Sequence, residues 1–412
     1  MNIYFIGIGG IGVSSLAQYY LEKGHNIYGS DAFDSELIHS LKQKGMNIVT
    51  GEQKAENLPK DLDLVIYSPA IQNNNEELKE ARKRNIKTLS YPQTLGELSK
   101  EYFTIAITGT HGKSTTTAMT ALILEEAGLD PTVIIGTKMK EFGTNFKIGK
   151  SKYLVIEACE YEDSFLSYHP DIGVILNMEA DHLDYFKTFE NIKKSFKQFE
   201  NQSKQTIFSE KIKNEKELDI IKNNIQIPGE FNALNALTAM YIAREIGVND
   251  EISLKAISKF NGTWRRMDID NSFKYMIIND YAHHPTEVEG TLKAIGEKYK
   301  NKNIHCIYQP HQYERTNFFF EDFKNLFKEI LEKDIIDKLI LYPIYTVKGR
   351  ESEEVLRKTS SEKLFREINN SNCIYLDTFE KLKEYTNSLN ENDILVIMGA
   401  GNIYDFYLYL KQ

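Results

Sequence analysis

Residues Ile105-Ala106-Ile107 form a short apolar run, and Thr108-Gly109-Thr110-His111-Gly112-Lys113-Ser114-Thr115-Thr116-Thr117 follows without a break. A helical pattern then runs from Ala118 to Ala127. A buried strand, a glycine turn, a lysine, a hydroxyl cluster and a helix, in that order, build a cradle for a nucleotide phosphate. The glycines let backbone N–H groups close around phosphate oxygens, and the helix N-terminus adds partial positive charge. Gly109, Thr110, His111, Gly112, Lys113, Ser114 and Thr115 are therefore the candidate nucleotide-phosphate-binding residues. Lys113 can reach the outer phosphates and Ser114 can place its hydroxyl on Mg²⁺. The general phosphate loop, G-x-x-x-x-G-K-[ST], requires glycine at 107, where this chain has Ile107. The stretch is a shorter variant, T-G-T-x-G-K-S. An ordinary glycine turn ahead of a helix is the plain alternative, and it leaves the lysine and the hydroxyls unexplained.

With 412 residues, two or three domains are expected. No apolar run approaches the ~18 residues of a membrane span. Met1-Asn2-Ile3-Tyr4-Phe5-Ile6 enters a strand at once and lacks a basic leader, so a cytoplasmic protein without membrane insertion is expected. Cys159, Cys306 and Cys373 are widely spaced and form no metal pattern, which suits a reducing compartment. A net charge of −9 argues against a general nucleic-acid surface. Cations that bind an anionic ligand must then be local.

The N-terminal strand, residues 2–7, leads into Gly7-Ile8-Gly9-Gly10-Ile11-Gly12, a G-x-G-x-x-G that opens a helix at about Val13–Lys23. A second strand, Asn26–Gly29, ends at Ser30-Asp31, where a dinucleotide fold carries its ribose-binding acid. By themselves these glycines fit a nicotinamide dehydrogenase or any diphosphate ligand. The strand–helix alternation continues through Leu64–Tyr67, Ser68-Pro69-Ala70-Ile71, a loop at Asn73–Asn75 and a polar helix at Glu76–Arg84, and the first domain should end near residue 100.

Beyond the phosphate loop, the strand Tyr153–Ile156 ends in Glu157, and the strand Ile172–Asn177 is followed by Met178-Glu179-Ala180-Asp181-His182. Acids at the C-terminal ends of parallel strands beside a phosphate loop are where Mg²⁺ ligands sit, so Ser114, Glu157 and His182 are the candidate metal residues. A structural histidine and a chance strand-end acid are the alternatives. Residues 187–226 are rich in charge and read as solvated helix faces. Asn232 and Asn235 lie three apart on one helix face, where paired amides could read a purine edge or simply cap and meet solvent. Arg265-Arg266 stands at the start of a third domain, where an arginine could grip phosphate on domain closure. Asp280-Tyr281-Ala282-His283-His284-Pro285-Thr286-Glu287 runs from a strand through a loop into a helix, with Pro285 in its first turn. A strand at Ile304–Tyr308 leads to Gln309-Pro310-His311-Gln312-Tyr313-Glu314-Arg315-Thr316, and later units include Leu339–Tyr342, Glu353–Ile368, Cys373–Leu376, Phe379–Leu389 and Ile394–Met398 before Gly399-Ala400-Gly401.

With these pieces in order, the chain resembles the Mur ligases, the ATP-dependent amide-forming enzymes of peptidoglycan precursor synthesis, over essentially its whole length. T-G-T-x-G-K-S marks Mur ligases and folylpolyglutamate synthetases together. D-Y-A-H-H-P-T-E combined with Q-P-H-x-Y-x-R-T is narrower and points to the branch that acts on UDP-N-acetylmuramate. The resemblance implies an α/β protein of three domains: a Rossmann-like UDP-binding domain (1–100), a central ATPase-like domain with a parallel sheet (101–263) and a Rossmann-like amino-acid-binding domain (264–412). It implies that Gly7, Gly9, Gly10 and Gly12, with Ser30, Asp31 and Ser68, hold the UDP-sugar. Asn232, Asn235, Arg266 and Asp280 would join the phosphate loop around ATP, and Tyr281, His283, His311 and Arg315 would line the amino-acid end.

The activity so implied joins L-alanine to the carboxylate of UDP-N-acetylmuramate through an acyl phosphate, with ATP and Mg²⁺ consumed or bound and ADP and phosphate released. Lys113, Arg266 and His283 carry the catalytic expectations: charge neutralisation by the first two and a base for the amine by the third. A monomer or weak homodimer is expected. A recycling ligase that attaches a tripeptide to the same sugar nucleotide is the near alternative, and a nicotinamide oxidoreductase the distant one. Three positions depart from the family pattern: Phe231 where histidine is frequent, Gln312 where arginine is frequent, and Cys159 where aspartate is frequent.

Overall fold

Continuous apolar runs such as Ile3-Tyr4-Phe5-Ile6 and Ile105-Ala106-Ile107 cannot alternate between core and solvent, so they belong in parallel sheets covered on both faces. All of these residues are buried. The computed structural model describes residues 1–346 and 353–411 and contains three such sheets. The chain packs as two units, Met1–Ile225 with Leu234–Phe260, and Gln226–Ala233 with Asn261–Gln412.

The first unit holds two sheets. Strands β1 (Asn2–Ile6), β2 (Asn26–Asp31), β3 (Asn47–Thr50), β4 (Leu64–Tyr67) and β5 (Lys87–Ser90) lie in the order β3-β2-β1-β4-β5, and their recorded pairings are all parallel. The order reverses between β1 and β4, which opens a crevice beyond their carboxyl ends. Helices begin where the local chemistry directs. Ser35 and Asn75 accept N–H bonds at two N-caps, and Ser90 and Gln93 form a capping box with Pro92 in the first turn. Ser30 and Asp31 lie inside β2 rather than beyond it, and the first helix starts at Ile11, two residues earlier than the glycine pattern suggests.

The second sheet comprises β6 (Phe103–Thr108), β7 (Thr132–Met139), β8 (Thr144–Lys147), β9 (Tyr153–Glu157), β10 (Ile172–Ile175) and β11 (Gln205–Phe208), in the order β11-β10-β6-β9-β7-β8. Only β7 and β8 pair antiparallel, forming a hairpin that the sequence pattern did not suggest. This hairpin packs on the helix Ile11–Glu22. Asn145 of β8 is buried and its amide donates to the Ile11 carbonyl at 2.5 Å and to Ser15 Oγ at 2.5 Å. Leu16, Ala17, Ile134, Phe146, Ile156 and Phe165 belong to one continuous core, so the two sheets of this unit share their interior.

The second unit carries β12 (Asp268–Asp270), β13 (Met276–Asp280), β14 (Asn303–Tyr308), β15 (Lys338–Leu341), β16 (Cys373–Tyr375) and β17 (Asp393–Met398), ordered β12-β13-β17-β14-β15-β16. Only β12 runs antiparallel to its neighbour. The span Glu353–Ile368, one unit in the sequence reading, divides into helices Glu353–Lys358 and Ser361–Ile368, because Ser360 turns extended and caps the second. Among the described residues, no helix is long and apolar enough to cross a membrane.

Gly96 marks the tightest approach inside the first unit. A Cβ there would sit 2.2 Å from the Ser167 carbonyl oxygen, a backbone atom that cannot swing aside. Gly96→Ala is expected to destabilise the first unit by about 1–3 kcal/mol, measured as a lowered urea midpoint with an unchanged denaturant slope.

Candidate active site

The glycine-rich stretch after β1 folds onto the ends of β2 and β4. Gly7 and Ile8 both donate to the Ser30 carbonyl, at 2.8 and 3.0 Å, and Gly10 donates to the Gly7 carbonyl at 3.2 Å. Asp31 Oδ2 accepts from Gly9 N at 2.8 Å and Asp31 Oδ1 from Phe33 N at 3.1 Å. The acid that a dinucleotide dehydrogenase reserves for ribose thus holds the loop itself. Ser30 and Ser68 also come to this loop, but with different atoms. The Ser30 hydroxyl is buried and donates to Glu77 Oε2 at 2.5 Å, inside the domain, while Ser68 Cβ lies against Gly7. Burial pushes Glu77 above the usual carboxylate range, against hydrogen bonds from Ser30, Asn57 and Tyr4. Gly12 has another task. A Cβ there would lie 2.8 Å from the ring of Tyr91 and 3.0 Å from its hydroxyl, so this glycine admits the Tyr91 phenol.

The phosphate loop is assembled from β6, β9 and β10. Gly109 and Gly112 have φ of 143° and 84°, conformations that suit glycine. A Cβ on Gly112 would lie 2.5 Å from Asn235 Oδ1, so Asn235 packs directly against the loop. Asn177, at the end of β10, clamps the other side. Its carbonyl accepts from Thr110 N at 3.2 Å, its Oδ1 accepts from His111 N at 2.8 Å, and its Nδ2 donates to the His111 carbonyl at 3.1 Å. His111 Nε2 lies 3.4 Å from Glu179. Lys113 folds back into the cradle, donating to the Gly109 carbonyl at 2.6 Å, the Thr110 carbonyl at 3.1 Å and Glu160 at 3.1 Å. Burial opposes its charge, but Glu160 and Glu157 outweigh that and hold the ammonium above its usual value. Ser114 and Thr115 follow, both buried in the first turn of the helix Lys113–Glu126.

The acids beside this loop divide their work. Glu157, at the end of β9, accepts from Gly136 N at 2.9 Å. His182 Nε2 lies 3.8 Å from Glu160 and 3.8 Å from Asp181, so the structure places this histidine by Glu160 rather than pairing it with Glu157. Cys159, two residues after Glu157, is an exposed free thiol. Carboxylate, hydroxyl and imidazole donors around a glycine cradle match a hard divalent cation with a polyphosphate.

In the second unit, Tyr281, His283, His311 and Arg315 converge. His283 and His311 rings lie 5.8 Å apart, and Tyr281 meets His283 edge-on at 5.6 Å. His311 stacks on Tyr345 and its Nδ1 lies 3.0 Å from Arg315 Nη1. His283 Nδ1 lies 3.2 Å from Glu287, which also accepts the His283 and His284 backbone N–H groups. Arg266 sits over Tyr281 at 5.4 Å. Its neighbour Arg265 is buried and donates to the Gly399 and Gly401 carbonyls at 2.7 and 3.0 Å. Asp280 is also buried, with its oxygens accepting from Met267 N at 2.8 Å and Ala282 N at 2.9 Å, so it ties the arginine segment to the histidine loop. Asn232 donates to the Pro228 carbonyl at 2.6 Å, and Phe231 is part-exposed against Gly290. Gln312 has a φ of 68° and stands at the N-cap position of the helix that carries Arg315, with no cap bond from its side chain.

Family models cover these three regions: "Mur ligase family, catalytic domain" matches residues 2–103, "Mur ligase middle domain" residues 107–214 and "Mur ligase, glutamate ligase domain" residues 265–401. A UDP-N-acetylmuramate–L-alanine ligase of Clostridium kluyveri is 35% identical, with 100% of this chain and 98% of that protein aligned. The chain belongs to the Mur ligase family. Among solved structures, UDP-N-acetylmuramate-alanine ligase MurC from Thermotoga maritima matches with a TM-score of 0.79 at 25% identity over 100% of this chain and 98% of that one. A murein peptide ligase from Psychrobacter arcticus shares the fold with a TM-score of 0.66 at 22% identity, over 100% and 98%.

Several site residues of this Mur ligase escaped the sequence reading. Glu160 and Asn177 stand at strand ends, a signal that was present but not specific. Glu287 stands at the third helical position behind Pro285, where a capping box places an acid. Tyr91 and Tyr345 carry no local signal, whereas Arg265 was legible as half of the Arg265-Arg266 pair but not in its inward bonds to Gly399 and Gly401. Asp280 supplies a pH test. Burial raises its pKa from 3.8 to about 6, against the two backbone donors. The folded state therefore holds this proton more tightly than the unfolded chain, so its contribution to stability is full below 3.8 and is lost as pH rises to about 6. Asp280→Asn is expected to flatten that part of the stability–pH curve, measured by thermal unfolding across the window.

Proposed function

We propose that this chain joins L-alanine to the carboxylate of UDP-N-acetylmuramate at the expense of ATP, releasing ADP and phosphate. The full-length likeness to an L-alanine ligase carries this reading, and the site chemistry agrees with it. In this reading the Gly7–Gly12 loop receives the diphosphate of the sugar nucleotide, with Asp31 fixing the loop. Asp31 is engaged with Gly9 and Phe33, which removes the main support for a nicotinamide reaction.

A carboxylate is a poor acyl donor, so the muramate carboxylate attacks the γ-phosphorus of ATP and becomes an acyl phosphate. Phosphoryl transfer asks the protein for position and charge neutralisation. Lys113, released from the Gly109 and Thr110 carbonyls, provides the nearest cation to the outer phosphates, and the loop N–H groups donate to the remaining phosphate oxygens. Ser114, Glu157 and His182, with Glu160 beside the histidine, would hold Mg²⁺, which when bound neutralises phosphate charge. Arg266 provides a further cation, and Asn235 abuts the phosphate loop from its outer side. In the second unit, Arg315 and His311 bind the carboxylate of the amino acid, and His283 stands for the base that takes a proton from its ammonium. Both ATP and a UDP-sugar as substrates place the reaction in the cytoplasm.

The decisive assay mixes UDP-N-acetylmuramate, ATP and Mg²⁺ with either L-alanine or the tripeptide. ADP and phosphate release that requires L-alanine is the expected result, and release with the tripeptide alone overturns the choice of amine. Lys113→Ala is expected to abolish ATP turnover by at least about a hundredfold while isothermal titration still shows UDP-N-acetylmuramate binding.

A further inference from the structure

We infer that Glu77 is a positioning residue for the sugar nucleotide: its buried carboxylate ends a one-way chain of hydrogen bonds that fixes Ser30, and the Ser30 carbonyl in turn fixes the Gly7–Gly12 loop for a diphosphate. The inference deepens the amide-ligase reading and rests on it for the identity of that ligand. Glu77 stands in the first turn of the helix Glu76–Lys83 and is fully buried. A carboxylate in such a place is costly unless donors surround it. Three side chains supply them. Ser30 Oγ donates to Oε2 at 2.5 Å, and Asn57 Nδ2 and Tyr4 OH donate to Oε1 at 2.7 and 3.1 Å.

The direction of the chain is set at its outer end. Asn75 Oδ1 accepts from Leu78 N at 3.0 Å as the helix cap, which leaves Asn75 Nδ2 to donate, and it meets Gln53 Oε1 at 2.8 Å. Gln53 Nε2 then donates to Ser30 Oγ at 3.2 Å. With that amide proton arriving on its oxygen, the Ser30 hydroxyl sends its own hydrogen to Glu77. Asn57 is oriented as firmly, because its Nδ2 also donates to the Glu52 carbonyl at 3.1 Å. Only a group that accepts on both oxygens fits the end of this chain, and an ionised carboxylate does.

Ser30 passes this restraint to the loop through its backbone. Its carbonyl accepts from Gly7 N and Ile8 N at 2.8 and 3.0 Å, and Asp31 beside it takes Gly9 N at 2.8 Å. The turn so held leads into the helix Ile11–Glu22, whose first N–H groups have no intrahelical partner and suit a diphosphate. The negative charge of Glu77 by itself works against a diphosphate. Its contribution is therefore geometric, and because Glu77 is fully buried it acts through Ser30 rather than by contact with the ligand.

The test is the affinity of the full chain for UDP-N-acetylmuramate, read by isothermal titration and by kinetics. Glu77→Gln keeps the shape but puts a donor against Ser30 or Asn57. It is expected to weaken UDP-N-acetylmuramate binding and raise its KM about tenfold. The kcat and the KM values for ATP and L-alanine are expected to stay within about twofold of wild type. Unchanged or tighter binding overturns the inference, since loss of the charge alone favours a diphosphate. An equal fall in kcat, or an equal rise in the other KM values, also overturns it by reducing Glu77 to a general support of the fold. Ser30→Ala closes a double-mutant cycle. Once the hydroxyl is gone, adding Glu77→Gln is expected to weaken binding by less than about twofold more, whereas losses that multiply overturn the route through Ser30. Gln53→Ala cuts the same chain at a part-exposed residue and covers the case in which Glu77→Gln does not fold. It is expected to weaken binding about threefold, and no change overturns the chain. A wild-type chain that binds no UDP-N-acetylmuramate overturns the ligand reading itself, whereas wild-type binding that Glu77→Gln leaves intact overturns only the role of Glu77.

Discussion

A buried ammonium is costly unless it is paired and hydrogen-bonded, and the phosphate loop is organised around one. Lys113 is surrounded by the Gly109 and Thr110 carbonyls and by Glu160, which is itself almost completely buried. Those partners stand where phosphate oxygens and a cation would otherwise balance the charge. The loop is therefore a set of matched charges that a nucleotide exchanges for its own. Asn177 keeps the loop in shape meanwhile, because its backbone carbonyl and both polar atoms of its side chain are bonded to Thr110 or His111.

The wall opposite Lys113 is built from backbone that most residues avoid. Glu162, Asp163 and His182 all have φ between 52° and 55°. Each such residue costs on the order of 1 kcal/mol or more and persists only where its surroundings fix it. Here Asp163 accepts from Tyr185 at 2.6 Å and from the Ser195 hydroxyl, and Tyr161 packs its ring on His182 at 4.8 Å. Strain concentrated beside Glu160 positions the imidazole and carboxylates before any ligand arrives.

The legible part of this protein was the part encoded locally. The glycine turns after β1 and β6, the lysine and hydroxyls behind the second, and the Pro285 helix start each follow from short-range backbone and hydrogen-bond rules, and the structure has them in place. What stayed hidden has a common cause. The β7–β8 hairpin has no turn dipeptide to announce it, and the amide of Asn145 reaches a helix 134 residues earlier. Gly12 reads as a ligand-facing glycine until Tyr91 is seen against it. The Ser30 hydroxyl, expected at the sugar nucleotide, turns inward to Glu77 because a buried carboxylate needs donors more than the loop does.

By itself, the sequence determined which turns could cradle phosphate, which residue types could neutralise it and the family the chain resembles, because strand, turn and helix signals are read within a few residues. The tertiary structure decided who partners whom. Parallel strands deliver their carboxyl ends to one edge, so Lys113 meets Glu160 and His111 meets Asn177 across 47 and 66 residues of chain. It also decided surroundings: His283 and His311 are identical as letters, and the structure sets a carboxylate against one Nδ1 and a guanidinium against the other. Hydrogen-bond complementarity depends on distance in space, which the order of residues does not contain.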